Sequence, residues 1–139
     1  MKRAFICFLP FILMLAGGCL KKSDNANFVV PLGNFNGIFT RIHYNATKKT
    51  SDTIKAGLSL VIDINTGYAI SGDTTYHAGS YGDFAAAATV ITFYDHTLNY
   101  SLNKTHLEGD YTYTYDGSTL QMQQTKADTL KYLYVFKQY

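Results

Sequence analysis

The stretch Tyr111-Thr112-Tyr113-Thr114-Tyr115-Asp116-Gly117-Ser118-Thr119-Leu120 decides the fold class. Tyrosine alternates with threonine, so an extended backbone puts Tyr111, Tyr113 and Tyr115 on one face and Thr112 and Thr114 on the other. Asp116-Gly117 interrupts that period of two with the residue pair that a tight hairpin turn favours. Asp110 to Tyr115 and Thr119 to Gln124 therefore read as two antiparallel strands.

Working outward, the same grammar extends in both directions. Leu130 to Gln138 reads as the last strand, with Leu130, Tyr132, Tyr134 and Phe136 on one face and Leu133 and Val135 on the other. A strand apolar on both faces makes a poor free edge, which favours closure of the sheet. Upstream, Leu98 to Leu102 and Val90 to Tyr94 pair about a turn at Asp95-His96, and Thr75 to Tyr81 forms a short strand ended by Gly82-Asp83. Phe84 to Ala88 fits a strand segment or a helical turn and is read as strand. Tyr68 to Ser71 pairs with Ile54 to Ile64 across Asn65-Thr66-Gly67, with Leu58, Leu60, Ile62 and Ile64 on one face. Lys48 to Asp52 turns the chain back to a first strand at Asn36 to Tyr44, where Ile38, Thr40 and Ile42 oppose Phe39, Arg41 and His43. The expectation is an all-β antiparallel up-and-down meander of about eight strands closing into a small barrel, with a β-sandwich as the alternative.

The N-terminus has a different grammar. Lys2 and Arg3 precede thirteen apolar residues from Ala4 to Ala16, then Gly17-Gly18-Cys19. A helix of that run would span only about 20 Å against a hydrocarbon core of about 30 Å, so it reads as a cleaved export signal. The small pair before cysteine resembles the lipobox of bacterial lipoproteins, which implies cleavage after residue 18 and lipidation of Cys19. The competing reading is ordinary cleavage near Ala16 or Gly18, which leaves Cys19 a free thiol. The expected organisation is a signal peptide over 1–18, a lipidated polar tether over 19–30 and the β-domain over 31–139. Leu20 after the cysteine, with no aspartate there, points to the outer membrane of the cell envelope.

The precursor has 139 residues, 12 basic and 10 acidic, and two of the basic ones, Lys2 and Arg3, leave with the signal. A neutral mature chain offers no basic footprint for nucleic acid and none for anionic lipid, so the membrane is reached through Cys19. Cys7 leaves as well, so the β-domain has no disulfide, no cysteine nucleophile and no cysteine-based zinc site.

The order of elements resembles the small lipocalin-like lipoproteins of Gram-negative bacteria. The resemblance rests on Gly33-Asn34-Phe35-Asn36-Gly37-Ile38-Phe39, on Gly79-Ser80-Tyr81 before Ile91-Thr92-Phe93, on Leu107-Glu108-Gly109-Asp110-Tyr111, and on Asp116 to Leu120 with Tyr134. It implies a small β-barrel with a ligand-sized interior; the chain lacks the tryptophan of true lipocalins' first strand.

Candidate chemistry is sparse. His43, His77, His96 and His106 are too dispersed for a local metal signature, and no cofactor motif is present. Asp73, His77 and Asp83 are the one set from which a hydrolase-type acid–base site could be built, and enzymatic activity is not expected. Gly79-Ser80-Tyr81-Gly82 lacks the surroundings of a nucleophile elbow. Twelve tyrosines stand out: as strand formers they stabilise sheet pairing, and inside a barrel Tyr111, Tyr113, Tyr132 and Tyr134 would line a pocket. Asp52-Thr53-Ile54, Asp73-Thr74-Thr75 and Asp128-Thr129-Leu130 resemble acceptors of a bacterial O-glycosylation system, at Thr53, Thr74 and Thr129. The expected function is a lipid-anchored envelope protein whose barrel binds a small apolar or amphipathic ligand. The alternative is an interaction module, an adaptor or inhibitor of an envelope protein, with a filled core.

Overall fold

The computed structural model describes residues 28–100 and 103–139. The proposed signal peptide, Cys19 and most of the tether lie outside them. Eight strands follow one another: β1 (Gly33–Asn45), β2 (Thr50–Asp63), β3 (Gly67–Gly72), β4 (Ser80–Ala86), β5 (Val90–Asp95), β6 (Gly109–Tyr115), β7 (Thr119–Ala127) and β8 (Leu130–Gln138). Each pairs antiparallel with the next, and β1 pairs with β8 from Phe35 opposite Gln138 to His43 opposite Leu130, closing the barrel. The architecture is the expected meander, consistent with a lipocalin-like fold, and the sandwich alternative falls away.

Alternation sets the core. Phe35 and Phe39 of β1, Leu58, Leu60 and Ile62 of β2, Tyr111 and Tyr113 of β6, and Tyr134 and Phe136 of β8 point inward and are buried. Ile64 breaks the expected run, being 69% exposed. β2 ends at Asp63, whose carboxylate accepts from Asn65 N and Thr66 N at 2.8 and 2.9 Å and turns the chain before Ile64 can continue the face. At the decisive hairpin, Gly117 takes φ 92° while Asp116 accepts from Ser118 N and Thr119 N at 2.8 and 2.7 Å.

Four expected features come out differently. β1 and β2 reach nearer each other than Asn36–Tyr44 and Ile54–Ile64, because the turn is confined to residues 46–49, held by Lys48 N donating to Asn45 Oδ1 at 2.9 Å. Thr75–Tyr81 is not a strand: the segment between β3 and β4 crosses one end of the barrel, and only Ser80 and Tyr81 join β4. Gly82-Asp83 lies inside β4, because its glycine serves close approach: a Cβ at Gly82 would lie 1.9 Å from the Tyr94 carbonyl oxygen of β5. Leu98–Leu102 does not pair either; Leu98–Tyr100 forms a single 3₁₀ turn, and residues 101 and 102 lie outside the described chain. The cause is Asp95, whose Oδ1 accepts from both Thr97 N and Thr97 Oγ1 at 2.6 Å and ends β5 in a turn.

The segment 73–79 and the described residues 96–100 and 103–108 together cap that end. Ala78 N donates to Thr105 O at 2.8 Å and Thr105 N to Tyr76 O at 3.0 Å, which seats His77, Ala78, Thr105 and Leu107 as buried residues over the lumen.

Candidate functional site

The lumen is built from rings. Tyr68 meets Phe93 at 4.9 Å between centroids, Phe93 meets Tyr111 at 5.9 Å, Tyr111 meets Tyr134 at 5.6 Å and Tyr134 meets Phe39 at 5.0 Å. Edge-to-face and tilted pairs of this kind contribute about 0.5–1.5 kcal/mol each beyond the area they bury. Phe35, Phe39, Phe93, Tyr111, Tyr134 and Phe136 present 0% of their surface to a water-sized sphere, within the barrel or outside it. Among the described residues no water-sized space is left beside these rings, so the middle of the barrel is packed.

The four tyrosines named from sequence all belong to inward-facing positions. Tyr111 and Tyr134 touch, and Tyr132 joins them through Phe39 at 5.9 Å. Tyr113 lies further along β6, its hydroxyl donating to Ala87 O at 2.8 Å. In this arrangement they fill the lumen instead of lining a hollow one.

A polar seam runs under the end cap. His77 Nδ1 lies 2.6 Å from Ala78 O, and a carbonyl only accepts, so the proton sits on Nδ1. Nε2 then accepts from the Tyr134 hydroxyl at 2.9 Å. Burial drives the His77 pKa down to about 4, so the ring is neutral at physiological pH. Burial likewise raises the hydroxyls of Tyr68, Tyr111 and Tyr134. Tyr68 donates to Leu107 O at 2.8 Å, whereas Ser80 Oγ and Tyr111 Oη are buried without a hydrogen-bond partner among the described residues. Beside them, burial pushes Asp95 upward, but hydrogen bonds from Thr97 and His106 outweigh it and hold the carboxyl below its usual range. His106 Nδ1 sits 2.6 Å from Asp95 Oδ2, and Asp95 N donates to Glu108 Oε2 at 2.5 Å.

Asp73, His77 and Asp83 are not held together by any contact. Asp73 caps its own turn through Thr75 N at 2.9 Å, His77 is committed to Ala78 and Tyr134, and Asp83 pairs with His96 at 3.1 Å. The carboxylate–imidazole pairs that form are Asp95–His106 and Asp83–His96. Sequence reasoning missed both, because each joins residues more than ten positions apart across a strand or loop whose course only the fold supplies. Among the described residues no three of His, Cys, Asp and Glu gather as a metal-binding group.

The outer wall carries an opening. A trough of about 400 Å³ lies across β6, β7 and β8, bordered by the outward residues Thr112, Thr114, Gln121, Gln123, Leu133 and Val135 and by the intervening inward-facing positions Tyr113, Met122 and Tyr134. Register explains its chemistry. Thr112 faces Gln123 and Gln123 faces Leu133; in the next row Thr114 faces Gln121, Gln121 faces Val135 and Val135 faces Ile38 of β1. Each row therefore grades from hydroxyl through carboxamide to aliphatic, and Val135 and Ile38 are both nearly half exposed. Nothing in the one-dimensional pattern marks the trough, since these are ordinary outward strand residues.

Of the three threonines that resemble glycosylation acceptors, Thr53 and Thr74 are exposed and Thr129 is half-buried, its carbonyl accepting from Tyr44 N at 2.7 Å. Comparison with protein-family models, with curated proteins and with solved structures gives no significant match.

Proposed function

We propose that this chain is a lipid-anchored cell-envelope protein whose barrel binds a small amphipathic ligand on its outer wall. In this reading residues 1–18 are removed, Cys19 is acylated and holds the domain at the outer membrane, and residues 19–30 tether it. The observation that carries the ligand reading is the graded trough, whose volume of about 400 Å³ falls within the usual range of small-molecule sites. The packed lumen supports the outer wall over the interior as the place of binding. Threonine hydroxyls and glutamine amides would meet the ligand's polar end, and Leu133, Val135 and Ile38 its apolar part. The anchor is supported by the sequence before Cys19, and two or three acyl chains would make it effectively permanent, since each buried CH₂ contributes about 0.8 kcal/mol.

Native mass spectrometry of the mature protein from its own host tests the whole reading. The expected result is a mass raised by acyl chains at Cys19 and a retained small molecule that is absent from Val135→Lys. A soluble, unacylated chain overturns the anchor, and equal retention by Val135→Lys overturns the trough. The same spectrum reports glycan on Thr53, Thr74 or Thr129 as added hexose-sized mass.

A further inference from the structure

Next to the trough on the barrel wall, β4 and β5, of which β5 pairs with β6, present a second surface that the amphipathic reading does not use. Tyr81 and Asp83 face outward from β4, Tyr94 stands opposite Asp83 on β5, and His96 follows, its N donating to Tyr81 O at 3.0 Å. The four side chains form a square. Asp83 and His96 pair across its diagonal at 3.1 Å, and the Tyr81 ring meets the imidazole edge-on at 6.3 Å. Tyr81 is 58% exposed and Tyr94 52%, although each sits on a paired strand where an inward turn would have buried it. Among the described residues neither phenol hydroxyl has a hydrogen-bond partner, and Asp83 Oδ1 has none either.

Asp83 also borders a hollow of about 270 Å³, together with Val30, Ile64, Asn65, Ala85 and Ala86. Backbone parity shows what points into it. Tyr81 O accepts from His96 and Ala87 N donates to Val90 O, so odd-numbered residues of β4 turn their peptide groups toward β5. Even-numbered ones turn the other way, where Ser80 meets Ile70 and Gly82 meets Tyr68. β3 begins at Gly67, so the N–H and C=O groups of Phe84 and Ala86 have no strand partner and face the hollow. Strand donors and acceptors are ordinarily paired, and here they border the same hollow as the Asp83 carboxylate and the Asn65 carboxamide, while Tyr94 stands opposite Asp83.

We propose that this surface binds a neutral saccharide. A sugar ring combines apolar C–H faces, which stack on Tyr81 or Tyr94, with a dense set of hydroxyls that Asp83 Oδ1, Asn65 and the unpaired peptide groups of Phe84 and Ala86 satisfy. An extended peptide fits less well, because only two residues of edge are open and Val30 and Ile64 wall the space.

The test is an amide-resolved NMR titration of the mature chain, with Cys19→Ser for solubility, against glucose, galactose, mannose, N-acetylglucosamine, maltose and cellobiose. The expected result is saturable shifts at Tyr81, Asp83, Phe84 and Tyr94 with at least one sugar. Tyr94→Ala and Asp83→Asn, both at exposed positions, should weaken that binding about tenfold with unchanged melting temperature, while Val135→Lys leaves it intact. Absence of shifts with all six sugars overturns the proposal, as does unchanged affinity in both variants. Shifts at Phe84 and Ala86 with an alternating valine–threonine hexapeptide, and none with sugar, overturn it in favour of strand addition.

Discussion

Strands β6, β7 and β8 show one backbone carrying two unlike surfaces. Their inward residues, Tyr111, Tyr113, Leu120, Met122, Tyr134 and Phe136, are packed ring on ring or aliphatic on ring, with no water-sized space beside most of them. Their outward residues border an open trough graded from hydroxyl to aliphatic. The difference separates stability from the proposed recognition: the inner face holds the barrel closed, and the outer face is where the proposed ligand would find room. It also explains why tyrosine abundance misdirects, since Tyr134 is structural and Tyr94, chemically identical, is exposed and unengaged.

The largest expected effect breaks the inner face. Phe93→Ala or Tyr134→Ala should lower unfolding free energy by about 3–5 kcal/mol, read as a shifted urea midpoint, because each leaves a cavity in a lumen that has none to spare. Ligand affinity at a temperature where the variant is still folded should not change. If it collapses, the inner and outer faces are not separable in the way described.

Next in size is an acid effect seated in the same face. His77 has a folded pKa of about 4 against 6.5 for the free side chain, so as pH falls the unfolded chain binds the proton first. Stability contributed by the neutral ring is present above pH 6.5 and is lost progressively down to pH 4, by on the order of 3 kcal/mol. The carboxyls of Asp63, Asp73, Asp95 and Asp116 are held below their usual range, so their contribution is lost only as pH falls below about 4. Urea midpoints at pH 7 and pH 4.5 isolate the histidine: the drop should shrink in His77→Gln, and an undiminished drop would assign the acid sensitivity elsewhere.

A smaller effect sharpens the contrast between walls. Gly82→Ala forces a methyl against the Tyr94 carbonyl and should cost about 1–3 kcal/mol, with amide shifts concentrated from Tyr81 to Ala86 and at Tyr94. The trough on β6 to β8 should keep its ligand. Shifts spread evenly around the barrel would contradict that independence.

Much of this molecule is legible in the sequence because alternation and turn chemistry are local. The Tyr-Thr run, Asp116-Gly117 and the doubly apolar Leu130–Gln138 give the closed meander directly, and β8 starts and stops where they place it. Errors gather between β3 and β6, where strands are short and residues serve tertiary ends. Gly82 looks like a turn and is a point of contact; Thr75–Tyr81 alternates like a strand and caps the lumen; Asp95 looks like a loop residue and pairs with His106 eleven positions on. The candidate sites are less legible still. Whether tyrosines line a void or fill it depends on ring packing across the barrel, and the trough exists only through the register of β6, β7, β8 and β1.

The central claim is that binding happens outside a solid lumen, and an NMR titration with dodecylphosphocholine below its micelle concentration tests it most directly. The mature Cys19→Ser chain should show saturable shifts at Gln121, Gln123, Leu133 and Val135, weakened at least about tenfold by Val135→Lys and unaffected by Tyr132→Phe. Shifts centred on Tyr111 and Tyr134, with Val135→Lys binding as the parent does, would contradict the account.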